Sequence, residues 1–235
     1  MTRNDHDTSR RAVIDRIIMT PPGAARFELH WAPRSRAARI LWLLEESGAA
    51  YELVPYDLQA GTHKTSAYMA LNPHGKVPTL VDRTPPGGAA PVVINESGAI
   101  CAYVADMLPQ SGLAPAVGTA ARGAYYQWLF YGAAVLEPAF ADVAFARQTE
   151  PPRSALGWPA FADVMTRLEA SLATGPYLLG DAFSCADIMI GSSLAWFVGW
   201  GKATAGPNVA RYLELLLARP AKLRANEIEH ARVAR

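Results

Sequence analysis

Gly75-Lys76-Val77-Pro78-Thr79-Leu80 reads as a loop that enters a strand through a proline. Proline has no N–H, so such a strand lacks one ladder donor. The peptide groups just before it stay open to another molecule. Further along comes Asn95-Glu96-Ser97-Gly98-Ala99-Ile100, which sets an acid and a hydroxyl at the start of a helix. A helix start offers unpaired N–H groups beside a charged acceptor. Together the two stretches suit a small extended peptide that carries both an ammonium and a carboxylate.

The elements around them follow from periodicity. Phe27-Glu28-Leu29-His30-Trp31 alternates apolar and polar and predicts a strand. A helix opens after Pro33-Arg34-Ser35, with Ile40, Leu41, Leu43 and Leu44 on its apolar face and Gly48 at its C′ position. Tyr51-Glu52-Leu53-Val54 is a second strand, and strand–helix–strand of this length predicts parallel pairing. Thr62 to Leu71 reads as a short helix or irregular turn ended by Asn72-Pro73. Residues 79–81 and 92–94 form an antiparallel hairpin across a Pro/Gly-rich loop. A helix then runs from Glu96 to Leu108.

Pro109 to Val117 is Pro/Gly-rich, and every periodic segment beyond it is helical. Ala120 to about Arg147 is one long helix bent at Glu137-Pro138. Phe161, Val164, Met165, Leu168 and Leu172 lie on one helix face. Ser184 to Val198 is largely apolar and is expected to be buried all round, and Pro207 opens a last substantial helix through Leu217. The organisation expected is an extension over 1–25, an α/β domain over 26–109 of βαβαββα order, a linker over 110–117 and an all-α domain over 118–235.

Composition narrows the function classes. With 51% hydrophobic residues among 235, a large core is available. Lys+Arg 22 against Asp+Glu 21 gives no charge bias toward nucleic acid or an anionic membrane. Cys101 and Cys185 stand far apart without a C-x-x-C, which fits a reducing compartment and excludes a disulfide framework or a Cys-rich zinc site. No apolar run approaches the roughly 18 residues of a membrane span. In the extension, Arg10-Arg11 before Ala12-Val13-Ile14 is too short and charged for a secretory signal, and Asp5, Asp7 and Asp15 argue against a transit peptide.

Four motifs in order, Ser35-x-x-x-Arg39, Asn72-Pro73-x-Gly75-Lys76-Val77-Pro78, Glu96-Ser97-x-Ala99-Ile100 and Leu178-Leu179-Gly180-Asp181-x-Phe183-Ser184-x-Ala186-Asp187, resemble the cytosolic glutathione transferases over about Phe27 to Ala225. The first motif is most similar to bacterial and fungal members with a serine after the first strand. The resemblance implies a thioredoxin-like domain followed by a helical one. It also implies a cytoplasmic homodimer that uses glutathione as co-substrate, with no permanently bound cofactor, no metal, and no nucleic-acid or membrane partner. It implies conjugation of the glutathione thiolate to an apolar electrophile held between the domains. Two alternatives stand beside it: another glutathione-dependent enzyme on the same fold (isomerase, dehalogenase or peroxidase), and a binding or regulatory protein without turnover.

The resemblance assigns roles residue by residue. Ser35 takes the position of the thiolate-activating hydroxyl; by its own chemistry it is equally a helix cap. Arg34 and Arg36 flank it, and Arg39 suits a structural ion pair. Val77 pairs through its backbone with the cysteinyl part of glutathione, and Pro78 is expected in cis. Glu96 and Ser97 hold the γ-glutamyl ammonium and carboxylate. Lys76 faces the glycyl carboxylate, with Lys64 and His63 as rivals. Trp31, Tyr125 and Tyr126 are assigned to the electrophile pocket, from an aromatic-rich helix that also carries Trp128, Phe130 and Tyr131; core or dimer interface is the competing role. Cys101 and Cys185 read as inert. Ser184 and Asp187 have capping-box spacing and read as folding chemistry.

Overall fold

The computed structural model describes residues 25–145 and 147–233. The extension expected over 1–25 lies outside them, apart from Ala25. Two compact units are present. One comprises the described residues up to Ile100 together with those from Ala225 on; the other runs Cys101–Arg224.

In the first unit β1 (Phe27–Trp31), β2 (Tyr51–Pro55), β3 (Thr79–Asp82) and β4 (Val92–Asn95) make one sheet of order β2-β1-β3-β4. β1 pairs in parallel with β2 and antiparallel with β3, which pairs antiparallel with β4. Helices α1 (Ala37–Ser47), α2 (Ser66–Leu71) and α3 (Ser97–Met107) complete the βαβαββα order. α1 ends where Gly48 takes φ 67°, a left-handed cap that costs glycine least. This is the α/β arrangement expected from periodicity.

β1 is buried throughout. Its apolar side carries Phe27, Leu29 and Trp31; its other side carries Glu28 and His30, buried but partnered. Glu28 pairs with Arg83, and its Oε1 lies 2.8 Å from His30 Nε2, off the line of the ring N–H. Burial pushes the Glu28 carboxyl up. The neighbouring His30 and Arg83 side chains outweigh that and hold it below the usual range.

The second unit is helical: α4 (Ala120–Tyr131), α5 (Glu137–Ala144), α6 (Phe161–Ser171), α7 (Cys185–Gly199) and α8 (Pro207–Leu217), with α9 (Pro220–Val233) running from it into the C-terminal part of the first unit. The bend expected at Pro138 appears as a π-turn over Gly132–Leu136. Pro138 cannot donate to the carbonyl four residues back and its ring crowds it; widening the preceding turn relieves the clash. The stretch read as a linker is anchored. Leu113 is buried, its carbonyl accepts the Cys185 N–H at 2.8 Å, and Arg122 Nη1 donates to the Pro115 carbonyl at 2.8 Å. The break between the units falls inside α3, not at 110–117.

α7 starts with the capping box: Ser184 Oγ accepts from Ala186 N at 3.2 Å, and Asp187 Oδ2 accepts from Ser184 N at 2.9 Å. Asp187 is fully buried and also accepts from Leu178 N at 2.9 Å, Tyr212 OH at 3.1 Å and Ser184 Oγ at 3.1 Å. Burial raises its pKa and these hydrogen bonds oppose the rise. α7 is enclosed over its first half; Gly199 and Trp200 at its end are exposed. A second cap was not visible in the sequence. The Glu169 carboxylate accepts from Asn208 N at 3.0 Å and Val209 N at 3.1 Å at the start of α8.

Among the described residues no helix is long and apolar enough to cross a membrane, and no cluster of His, Cys, Asp and Glu is placed to hold a metal ion. Ser184→Ala is expected to destabilise by about 0.5–2 kcal/mol, the usual loss for a cap. Asp187→Ala strands several buried donors at about 1–3 kcal/mol each, so it is expected to cost clearly more. Urea unfolding of both variants checks the order; equal losses would reduce Asp187 to a simple cap.

Candidate ligand site at one end of the sheet

Strand directions decide where the motifs meet. β1, β2 and β4 point the same way and β3 runs against them. One end of the sheet therefore gathers the carboxyl ends of β1, β2 and β4 with the amino end of β3. His30 lies opposite Thr79, and Thr79 opposite Asn95. Lys76, Val77 and Pro78 lead into β3, while Glu96 and Ser97 leave β4, so these five residues share one edge. Ser35 follows β1 at the same end. The sequence motifs, separate along the chain, are brought together by register.

The loop into β3 is tightly specified. Gly75 takes φ 53°, and a Cβ there would lie 2.6 Å from Met69 Sδ and 2.8 Å from Lys64 Nζ. The left-handed φ favours glycine, and a side chain there would push the ends of Met69 and Lys64 aside. The Val77–Pro78 peptide is cis, as expected. Beneath the loop Tyr68 OH and Asn72 Nδ2 both donate to the Lys76 carbonyl, at 2.5 and 2.7 Å. The Val77 N–H and C=O have no hydrogen-bond partner among the described residues. One donor and one acceptor are therefore open at this edge, the pair that strand addition uses. Lys76 is exposed and makes no side-chain bond among the described residues, whereas Lys64 Nζ is tied to the Gly75 carbonyl at 2.8 Å. His63 Nδ1 is buried without a partner.

Glu96 takes φ 69°, a left-handed conformation that is uncommon outside glycine and costs about 1–3 kcal/mol. Its side chain is exposed, Ser97 is buried to 8% exposure, and neither side chain has a hydrogen-bond partner among the described residues. The capping bond that a Glu-Ser pair is able to make at a helix start is not formed. Asn95, just before, is pinned: its Oδ1 accepts from Thr79 Oγ1 at 2.6 Å and its Nδ2 donates to the Leu71 carbonyl at 3.1 Å. Such strain persists only where the surrounding structure over-determines it.

Ser35 is half-buried. Its Oγ donates to the Ala32 carbonyl at 2.6 Å and accepts from Ala37 N at 3.1 Å. The hydroxyl thus serves the turn ahead of α1, whose formal N-cap, Arg36, makes no side-chain capping bond. Arg34 has φ 54°, and its N–H donates to Glu229 Oε1 of α9 at 2.5 Å. A cavity of about 690 Å³ opens here, lined by residues 31–34, by 55–59 after β2, and by Arg232.

Two aromatic assignments are corrected. Trp31 is completely buried because strand alternation sets it on the apolar side of β1 with Phe27 and Leu29. It borders the cavity but exposes no surface of its own. Tyr125 is also completely buried, on the face of α4 that carries Trp128 and Leu129. Burial first, then the neighbouring Cys185 and Cys101, pushes its phenol far up. Tyr126 is 37% exposed, and its ring centroid lies 6.4 Å from that of Phe130, itself 62% exposed. Cys101 and Cys185 are free and fully buried.

Comparison with known proteins agrees with this geometry. Residues 28–106 match the glutathione S-transferase N-terminal domain and residues 151–215 its C-terminal domain. Glutathione S-transferase 3 of Zea mays is 32% identical over 84% of this chain and 91% of its own length. Disulfide-bond oxidoreductase YfcG of Escherichia coli K12 is 28% identical over 83% of this chain and 91% of its own. A Burkholderia graminis glutathione transferase, solved with two glutathione molecules bound per subunit, superimposes with a TM-score of 0.74 at 28% identity, covering 91% of this chain and 92% of that one. With both domain models matched in order and the maize relative covered over most of its length, the chain belongs to the glutathione S-transferase family.

Proposed function

We propose that the chain is a glutathione transferase that binds glutathione at the sheet end carrying Lys76, Val77, Pro78, Glu96 and Ser97. It would direct the thiolate at an apolar electrophile, and as in the family reading the active form would be a homodimer. The observation that carries the reading is the unpartnered Val77 peptide beside the unpartnered Glu96 and Ser97 side chains. Val77 offers one donor and one acceptor to the cysteinyl residue. Glu96 offers a carboxylate to the γ-glutamyl ammonium, Ser97 a hydroxyl to its carboxylate, and Lys76 a free cation for the glycyl end.

In the reaction the glutathione sulfur, as thiolate, forms a bond to the electrophilic carbon, and the leaving group departs with its bonding electron pair. A free thiol with a pKa of about 8.5 is mostly protonated at neutral pH, so the site has to favour the anion. Ser35 is the proposed donor. Its single hydroxyl proton rests on the Ala32 carbonyl, and a charged sulfur is the stronger acceptor. Of the aromatic set, Tyr126 keeps exposed surface for an apolar electrophile. The relation to a disulfide oxidoreductase supports a second reading, reduction of small disulfides. Both protein thiols are buried, so glutathione itself would have to supply the reacting sulfurs. Turnover of an activated aryl halide against turnover of a small mixed disulfide separates the two readings.

Glu96→Ala and Ser97→Ala are each expected to weaken glutathione binding by about 1.5–3 kcal/mol for Glu96 and less for Ser97, the range for a hydrogen bond to a charged group. Calorimetry on the folded variants measures it; unchanged affinity in the double variant would remove this pair from the site. Ser35→Ala is expected to raise the apparent pKa of bound glutathione and lower kcat/KM by about 10- to 100-fold, below the full value of an anion-stabilising donor because the proton must leave Ala32. Ultraviolet titration of the thiolate in the binary complex decides the role. A variant that melts lower yet titrates like the parent makes Ser35 a turn residue only.

A further inference from the structure

We propose that Tyr68, Asn72 and Thr79 are positioning residues that aim the Val77 peptide and the Glu96 turn at one ligand, through a hydroxyl network that none of them extends to the surface. The inference rests on the glutathione reading above.

The argument begins with the Lys76–Val77 peptide. It is planar and trans, so the Lys76 carbonyl and the Val77 N–H point in opposite directions. Tyr68 OH and Asn72 Nδ2 hold that carbonyl at 2.5 and 2.7 Å from inside the protein. Both residues are buried, at 1% and 5% exposure. Gripping the oxygen from within turns the N–H outward. One donor would leave the plane free to swing about the single contact; two define it.

Thr79 connects this peptide to the acidic turn. Its side chain is fully buried. Asn95 Nδ2 is engaged with the Leu71 carbonyl, so Asn95 Oδ1 is the acceptor presented to Thr79, and the one Thr79 hydroxyl proton goes to it at 2.6 Å. The Thr79 oxygen is then an acceptor toward Tyr68 OH at 2.9 Å and Asn72 Nδ2 at 3.4 Å. Tyr68 has one proton and two acceptors in reach, the Lys76 carbonyl and Thr79 Oγ1. Asn95 is the residue before Glu96, whose left-handed turn starts from the position that these bonds set. One buried hydroxyl therefore links the orientation of a peptide to that of a carboxylate on the neighbouring strand. Burial keeps the Tyr68 phenol protonated, as the network requires of its donor. Such fully satisfied buried networks hold geometry more tightly than their separate bonds would.

Thr79→Val keeps the side-chain shape and removes the hydroxyl; Thr79→Ser restores it; Tyr68→Phe removes the shared proton. Calorimetry with glutathione, melting curves and steady-state kinetics with an activated aryl halide are the measurements. Thr79→Val and Tyr68→Phe are each expected to raise the glutathione Kd and KM by about 10-fold, the loss of one hydrogen bond's worth of orientation. The kcat at saturating glutathione should stay within about twofold, and Thr79→Ser should recover most of the affinity. A merely structural role predicts lower melting temperatures with unchanged Kd, and that result overturns the proposal. Equal losses in Thr79→Val and Thr79→Ser also overturn it, since packing and not the hydroxyl would then matter. If Thr79→Val fails to fold, Tyr68→Phe decides alone. Absence of glutathione binding by the parent protein is a different failure: it sinks the functional reading first, and this inference with it.

Discussion

Strand β1 has hydrogen-bonded neighbours on both edges and no exposed residue on either face. Its polar residues cannot turn to water. Glu28 and His30 must find partners inside, and each partner then constrains the next. Arg83 answers Glu28. Tyr56 OH lies 2.8 Å from His30 Nδ1, and the Tyr56 and Tyr68 rings meet at a 46° tilt with centroids 4.7 Å apart. Tyr68 in turn reaches the loop ahead of β3. An unpaired buried polar group costs several kcal/mol in poor cases and about 1–3 in ordinary ones, so the sheet end inherits its order from a buried polar seam. The open groups at Val77, Glu96 and Ser97 stand out because nearly everything beneath them is satisfied.

Much of this was legible where the constraint is local. Pro78, Gly75 and Asn72-Pro73 carry their meaning in a few covalent bonds, and the loop takes the form they require. Alternation in Phe27 to Trp31 and the spacing of Ser184 and Asp187 likewise need no knowledge of distant chain. The failures share a different character. The sequence pattern assigns Trp31 and Tyr125 to a pocket, yet both are fully buried; Trp31 borders a cavity without opening onto it. Aromatics crowd α4 on several faces, and which face turns inward depends on packing partners that spacing alone does not name. The Arg34 contact with Glu229 joins residues 195 apart in sequence. The Glu169 cap on α8 crosses from a different helix.

Ser35 shows how a correct location leaves the chemistry open. The residue stands at the carboxyl end of β1, as the motif suggests, but its proton lies on Ala32. A hydroxyl that shapes a turn and one that stabilises an anion look the same in sequence. They differ only in where a single hydrogen rests, and that is settled by the charge of what arrives. The buried Asp187 is the opposite case. Its four contacts leave no proton or lone pair free for chemistry, so its acid serves the fold of α7 alone.

The two cysteines carry a consequence for how long such a protein survives its own work. Cys101 and Cys185 are the chain's only thiols, both are wholly enclosed, and burial holds the Cys185 thiol far from ionisation. Thiolates, not thiols, are alkylated or drawn into mixed disulfides. A protein that gathers reactive carbon or disulfide sulfur near its surface is exposed to self-inflicted damage at every encounter. With Cys101 and Cys185 both enclosed, neither thiol is open to alkylation or to a mixed disulfide while the fold holds.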